Sequence, residues 1–341
     1  MANYRKRVSM QDIADYVGVS KNAVSLALNN KPGVSDELRK KIIDVAMELG
    51  YGDFRKKTKS ILVLVPEYIS NDSIFYNDIY WSIDREVKLN GYNSVLTSVS
   101  QEFEHKLKLP TIYHEMDFAG IILIGVFSEQ YVKKIVDTGL PVLSIDHYYD
   151  NITIDSVVTA NEECAYLAVK HLIDNGHREI GYIGSIEMTA SLYDRWCGYK
   201  RAMERHGLPV KEEYCILKSS PLKNLLSDVA ELEEALNKMD RFPTAWFCGG
   251  DRIAIALIQA LSKRNISVPD DISVMGFDDL EIARLVVPSL STVRVRRDLL
   301  SFEAVRLMID KISNKVEGKK ISIYGELVIR SSVKALDNGA K

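Results

Sequence analysis

The first fifty positions carry apolar residues at helical spacing, in three short runs separated by turn residues. Ser9 stands three residues before Asp12, a capping-box start, and Met10, Ile13, Ala14 and Val17 then recur on one helical face until Gly18. Val19 leads to Ser20, a second N-cap. The helix it opens runs through about Asn30, with Ala23, Val24, Ala27 and Leu28 turned inward. Lys21, Asn22, Ser25, Leu26 and Asn29 are left facing outward. Beyond Pro32 and Gly33, Ser35 caps a third helix. Asp36 and Glu37 suit its positive end, and Leu38, Ile42, Val45, Ala46 and Leu49 form its inner stripe up to Gly50. Two short helices joined by a tight glycine turn, the second with a polar outer face, predict a helix-turn-helix unit.

At residue 61 the pattern changes. An apolar run over 61–65 reads as a buried strand, followed by a helix near 74–90, strands near 94–99 and 120–124, a helix over 129–138 and a strand over 141–145. The alternation restarts with helices over 162–175, 195–206 and 252–263 and strands over 180–183, 245–247 and 271–277. Strands alternating with helices imply parallel sheets covered on both faces. Two such sets imply two doubly wound lobes, with ligands held beyond the carboxyl ends of the strands. The expected organisation is a helical head over 1–52, a short basic linker over 53–60 and an α/β body over 61–341.

Charge separates the same two regions. Positions 1–60 hold 12 Lys and Arg against 7 Asp and Glu, a surplus of five, whereas the rest holds 32 against 40, a deficit of eight. A basic head on an acidic body fits nucleic-acid binding at one end and a body that phosphate repels. Cys164, Cys197, Cys215 and Cys248 show no metal-type spacing, and His147, His171 and His177 have no such partner nearby, so neither a disulfide framework nor a metal site is expected. Positions 1–8 are charged without an apolar stretch, and no run of about 18 apolar residues occurs, which predicts a cytoplasmic protein with no membrane segment. The motifs G-x-G-x-x-G after a strand, G-x-x-x-x-G-K-[ST], G-x-S-x-G and H-E-x-x-H are all missing. No cofactor or nucleophile is signalled, and an enzyme is not expected.

Several runs fall in the order of one family. In the head they are Val8-Ser9-Met10-Gln11-Asp12-Ile13-Ala14, Val17-Gly18-Val19-Ser20-Lys21-Asn22-Ala23-Val24-Ser25, Leu28-Asn29, Val34-Ser35 and Leu49-Gly50-Tyr51. In the body they are His171-Leu172-Ile173, Gly176-His177-Arg178, Gly181-Tyr182-Ile183-Gly184, Arg195 with Gly198-Tyr199, Val268-Pro269-Asp270-Asp271-Ile272-Ser273, Gly276-Phe277-Asp278-Asp279 and Ser291-Thr292-Val293. Over almost its entire length the chain resembles the LacI/GalR repressors. The resemblance implies an α/β fold class: an all-α helix-turn-helix head plus two doubly wound lobes of periplasmic-binding-protein-like (type I) architecture. It places the N-lobe at about 61–160 and 292–320 and the C-lobe at about 161–288 and 321–337. It also implies a homodimer on a double-stranded, pseudo-palindromic operator with half-sites about one helical turn or a multiple apart. No leucine heptad follows Leu336, so a dimer and not a tetramer is expected.

Under this resemblance the outward face of the second helix carries operator specificity. Asn22 is placed to pair with adenine, Lys21 to reach guanine or a phosphate, and Ser25 beside them; Leu26, where many relatives have arginine, is placed to meet a thymine methyl. Ser9, Ser20 and Asn29 are expected on backbone phosphates. Between Tyr51 and Ile61 the chain is about eight residues shorter than the relatives' linker and lacks the leucine that wedges into the minor groove. Arg55 and Lys56 are left to hold DNA electrostatically.

For the cleft, the resemblance implies a small effector, a sugar or sugar phosphate, held by Asp146, Arg195 and Asp278. A guanidinium and carboxylates together supply donors and acceptors for vicinal hydroxyls. Asp251 follows a strand in the same cleft. Two departures stand out: Gly250-Asp251 replaces a frequent Asn-Asp, and Ala160-Asn161 replaces a frequent Asp-Asn. Tyr68, Phe75, Trp196 and Phe247 are candidates for stacking on a sugar face, with core or rim packing as the alternative. The competing reading is a sugar-binding module of the same two-lobed fold without DNA regulation, which leaves the head unexplained. A corepressor protein, as in the catabolite-control branch, is a further partner the resemblance allows.

Overall fold

Each helix of the head begins where a serine caps it, in a computed structural model that describes residues 8–28, 31–49, 51, 60–67, 74–217, 225–314 and 318–336. Ser9 accepts from the Asp12 N–H at 3.3 Å, and the Asp12 carboxylate accepts the Ser9 N–H at 2.6 Å, closing a capping box on the helix Met10–Val17. Gly18 ends that helix at φ +80°, the left-handed conformation that glycine adopts without penalty. Ser20 accepts from Ala23 N–H (3.1 Å) ahead of Lys21–Leu28, and Ser35 from Leu38 N–H (3.3 Å) ahead of Asp36–Glu48. Ile13, Ala14, Val24, Ala27, Ile42, Val45 and Ala46 form the buried core, and the predicted inner residue Ala23 is only half-buried. Arg39 adds a link with no counterpart in local pattern. Its guanidinium donates to the carbonyls of Leu26 (3.1 Å), Ala27 (3.0 Å) and Lys31 (2.6 Å), tying the third helix to the end of the second and to the turn beyond it.

The head lies within a unit spanning 1–59, and the body forms a second unit from 60 onward. In the body, β1 (Ser60–Pro66), β2 (Asn93–Val99), β3 (Phe118–Ile124), β4 (Val142–Ile145) and β5 (Asp155–Thr159) belong to the first lobe. Strand alternation sorts β1 cleanly. Ile61 and Val63 face a core with Ile79, Ile83, Leu300, Ala304 and Met308, from the helices Ile74–Leu89 and Arg297–Asn314. Leu62 and Leu64 face the opposite core with Phe127, Tyr131, Val132 and Ile135, the last three on Glu129–Val136. A strand buried on both sides needs the unbroken apolar run seen in the sequence.

The second lobe contains β6 (Ile180–Ile183), β7 (Cys215–Ile216), β8 (Ala245–Cys248) and β9 (Ser273–Met275), parallel in the order β7-β6-β8-β9. Asn161–Asp174 and Ala190–Arg205 cover one face through Ala165, Val169, Tyr199 and Met203; Leu225–Asn237 and Asp251–Lys263 cover the other through Leu232, Leu236, Ala254 and Leu257. The helix at Arg195 starts five residues earlier than expected, because Thr189 accepts from Leu192 N–H at 3.1 Å and caps it at Ala190.

The chain crosses between lobes as β10 (Thr292–Arg294), and later through β11 (Lys320–Ile323) and β12 (Glu326–Val328). β10 and β12 pair antiparallel. β11 joins the first sheet, completing the order β11-β5-β4-β3-β1-β2, with Lys320 opposite Ser156 and Ile323 opposite Thr159. The expected C-lobe boundary at 321 therefore moves: 321–323 are held by β5 hydrogen bonds in the N-lobe sheet. Return to the second lobe follows β12, where Val274 N–H donates to the Ser332 carbonyl at 2.8 Å.

Candidate functional site

On the head, Lys21 and Asn22 are exposed on the second helix, whereas Ser25 and Leu26 are half-buried. Leu26 leans over the turn that follows: a Cβ placed on Gly33 would lie 3.1 Å from its Cδ1. The Ser9 hydroxyl donates to Asp12 Oδ2 at 2.7 Å while accepting from Asp12 N–H, and Ser20 caps its own helix, so both hydroxyls serve the local fold. Asn29, Arg55 and Lys56 lie outside the described residues, as does Tyr68.

In the body, residues after several strands converge between the lobes. Asp146 follows β4 and is held at φ +63°, with its N–H on the Val157 carbonyl at 2.9 Å. From the second lobe, Arg195 is 4% exposed; its Nε donates to Asn161 Oδ1 at 2.9 Å and its Nη1 to the Gly249 carbonyl at 2.6 Å. Nη1 also lies 3.2 Å from Asp278 Oδ1, and the guanidinium stacks on the Phe277 ring with its carbon 3.8 Å from the centroid. Burial pushes the Asp146 carboxyl up to about 7; Asp278 adds to the rise and Arg195 opposes it. Asp278 is also raised by burial, against the pull of Arg195 and Arg297. Phe75 is half-buried, with Tyr76 edge-on at 5.0 Å and the Arg297 guanidinium 5.4 Å from its ring centre.

Three expected contacts fall elsewhere. Trp196 follows Arg195 on the helix and is turned about 100° from it, into stacking with Tyr199 (5.2 Å) and contact with Tyr182 (5.1 Å). Phe247 is fully buried on β8 between Tyr182 and Phe277. Asp251 is also fully buried, but its carboxylate serves the fold: Oδ1 accepts from the Thr292 hydroxyl (2.5 Å) and Oδ2 from Leu280 N–H (2.8 Å). Gly276 makes room for it, since a Cβ there would sit 2.3 Å from Oδ1.

Other participants were not singled out as ligand contacts from the sequence, although Asn161 and Asp279 fall at positions compared there with the family. Asn161 orients Arg195, and Tyr76 reaches toward Asp146 Oδ2 at 3.4 Å. A direct tie joins the lobes: Tyr148, in the loop after β4, donates to Asp194 Oδ1 at 2.9 Å, and Lys320 Nζ lies 3.1 Å above the Tyr148 ring centre. Asp279 forms a hub with Arg330, with Arg294 (2.7 Å) and with Arg284 (3.4 Å). Burial alone would raise its carboxyl, but Arg330 and Arg294 hold it below the ordinary range. Among the described residues no group of three His, Cys, Asp or Glu is assembled to hold a metal, and no helix is long and apolar enough to cross a membrane.

A helix-turn-helix head and a two-lobed body with a polar interlobe site define a ligand-responsive DNA-binding regulator. Residues 9–52 match the family described as bacterial regulatory proteins, lacI family, and residues 169–333 match the periplasmic binding protein-like domain. The catabolite control protein A of Priestia megaterium is 30% identical over 338 residues, covering 96% of this chain and 99% of that protein. The HTH-type transcriptional repressor PurR of Vibrio parahaemolyticus serotype O3:K6 is 27% identical over 340 residues, covering 96% and 99%. The lac repressor dimer bound to operator and the anti-inducer ONPF superposes with TM-score 0.76 at 22% identity, over 97% of this chain and 100% of that one. The CelR–cellobiose complex gives TM-score 0.71 at 22% identity, over 96% and 100%. The chain belongs to the lacI family of bacterial regulatory proteins.

Proposed function

We propose that the chain is a cytoplasmic, non-enzymatic repressor of carbohydrate-utilisation genes. It binds a pseudo-palindromic operator as a homodimer, and a small sugar-like effector held by Asp146, Arg195 and Asp278 sets its operator affinity. The observation that carries this reading is the convergence of those three side chains, with Asn161, from the loops after β4 and β9 and from two helices of the second lobe, onto one largely buried polar spot. Buried polar groups meeting at an interlobe position favour a ligand that supplies matching donors and acceptors. The effector then works by differential affinity for two lobe arrangements; a coupling of about 1–3 kcal/mol changes operator affinity roughly 5- to 150-fold. Relatives named as repressors, and solved relatives described with operator or with cellobiose, support both halves of the proposal.

Selection of genomic DNA fragments by the purified full chain, with and without a panel of sugars and sugar phosphates, tests it. The expected result is a palindromic site whose occupancy one ligand changes. Binding no stronger than to random DNA overturns the repressor reading. Asn22→Ala is expected to cost about 1–3 kcal/mol of discrimination at one symmetric pair of operator positions, read by the same selection.

A further inference from the structure

This inference rests on the cleft being the effector site. The cleft holds more acid than its bases can answer. Asp146 and Asp278 face one another's charge, and Asp251 lies behind Asp278 and is raised by burial and by that neighbour. Two arginines stand against them. Arg195 is committed to Asn161, the Gly249 carbonyl and Asp278. Arg297 donates to the Asp278 carbonyl at 3.0 Å and pairs with Asp78 at 3.2 Å. Asp251 is satisfied by Thr292 and Leu280.

Asp146 is left over. It is 6% exposed; among the described residues its Oδ2 has only the 3.4 Å contact from the Tyr76 hydroxyl, and its buried Oδ1 has no hydrogen-bond partner. A buried carboxylate oxygen without a donor is costly, and the cost is relieved by a ligand donor, most of all a cationic one.

We propose that the effector is a polyhydroxylated molecule bearing a protonated amine, as an amino sugar does, and that Asp146 receives the ammonium group between the lobes. A neutral hydroxyl would satisfy Oδ1 but leave the surplus of carboxylate. A phosphate or uronate group would add to that surplus. An ammonium group answers both, while Asp278 remains to accept from hydroxyls. Binding also displaces the proton that Asp146 retains near neutral pH, since a neighbouring cation favours the ionised carboxylate.

The test is calorimetric titration of the full chain at pH 7 with glucosamine, galactosamine and mannosamine, each beside its parent hexose, hexose 6-phosphate and uronate. Repeating it in buffers of different ionisation enthalpy counts protons. The expected result is one amine binding at least about tenfold more tightly than its parent hexose, with proton release. Asp146→Asn, shown to be folded by thermal melting, removes both the preference and the proton release. A hexose, phosphate or uronate that binds as tightly as its amine, with affinity lost in Arg195→Ala, overturns the amine but leaves the effector site standing. Silence from every compound overturns the amine proposal, and the repressor reading then stands or falls on the DNA selection.

Discussion

The two walls of the cleft treat their buried carboxylates in opposite ways. On the second-lobe side, Asp251 and Asp279 are fully engaged by their own chain: Asp251 by Thr292 and a backbone N–H, Asp279 by Arg330, Arg294 and Arg284. On the first-lobe side, Asp146 is also buried and yet has one oxygen with no partner among the described residues. The first arrangement braces the crossing strands. The second leaves binding energy available to something outside the chain. Residue type alone does not separate these roles, since all three are aspartates that follow strands of one body, Asp146 and Asp279 in loops and Asp251 at the first position of its helix.

Substitutions sharpen the contrast. Asp279→Ala should be the most damaging, about 3 kcal/mol in urea unfolding, because it removes the buried carboxylate that pairs with the half-buried Arg330 and with Arg294. The Asp279 carboxyl is lowered in the folded chain. Its contribution is therefore in place above the ordinary carboxylate range and is lost as pH falls through the lowered value, so wild type and variant should converge in strong acid. Thr292→Val removes one donor to Asp251 and should cost about 1–3 kcal/mol in the same assay.

Asp146→Asn should go the other way, neutral or stabilising by about 1 kcal/mol at pH 8. Its folded carboxyl is raised to about 7, so its contribution is complete below the unfolded value near 3.8 and is lost as pH rises through 7. Thermal melts from pH 5 to pH 8 should thus fall less steeply in the variant than in wild type; an unchanged slope would place the buried charge elsewhere. Tyr148→Phe should have the smallest effect on stability, about 0.5–1.5 kcal/mol, together with faster hydrogen exchange in the loop after β4 as the lobes part more readily.

What could be read from the sequence was local. Ser9 with Asp12, Gly18 and the stripe Ile13, Ala14 and Val17 are all within one or two helical turns, and the head follows them closely. The run over 61–65 announces a doubly covered strand for the same reason. Arg39 was silent because its acceptors lie 12 and 13 positions back on another helix. The helix Leu225–Asn237 had a signal, with Val229, Leu232 and Leu236 at helical spacing, but the acidic residues Asp228, Glu231, Glu233 and Glu234 interleaved with them masked it. In the cleft, family resemblance singled out Asp146, Arg195 and Asp278, and the fold brings them together. The Asn161–Arg195 contact, 34 positions apart, has no periodicity to betray it. Trp196 and Phe247 show the limit from the other side. An aromatic ring beside a site residue has the same composition whether it lines the cleft or fills the core, and only the direction of its Cα–Cβ bond decides.

One consequence concerns the order in which the chain is made. β11 provides the edge of the first sheet, and residues just beyond β12 bind the second: Ser332 receives the Val274 N–H, Lys334 N–H reaches Ser273 Oγ at 3.1 Å, and Leu336 N–H reaches the Asn175 carbonyl at 2.8 Å. Neither lobe is finished when the stretch from 60 to about 318 has left the ribosome, although the head can already have folded behind its own caps. During translation the body therefore waits, both sheets open on one side, for the same short segment, and chaperones that shield exposed strand edges have their window there.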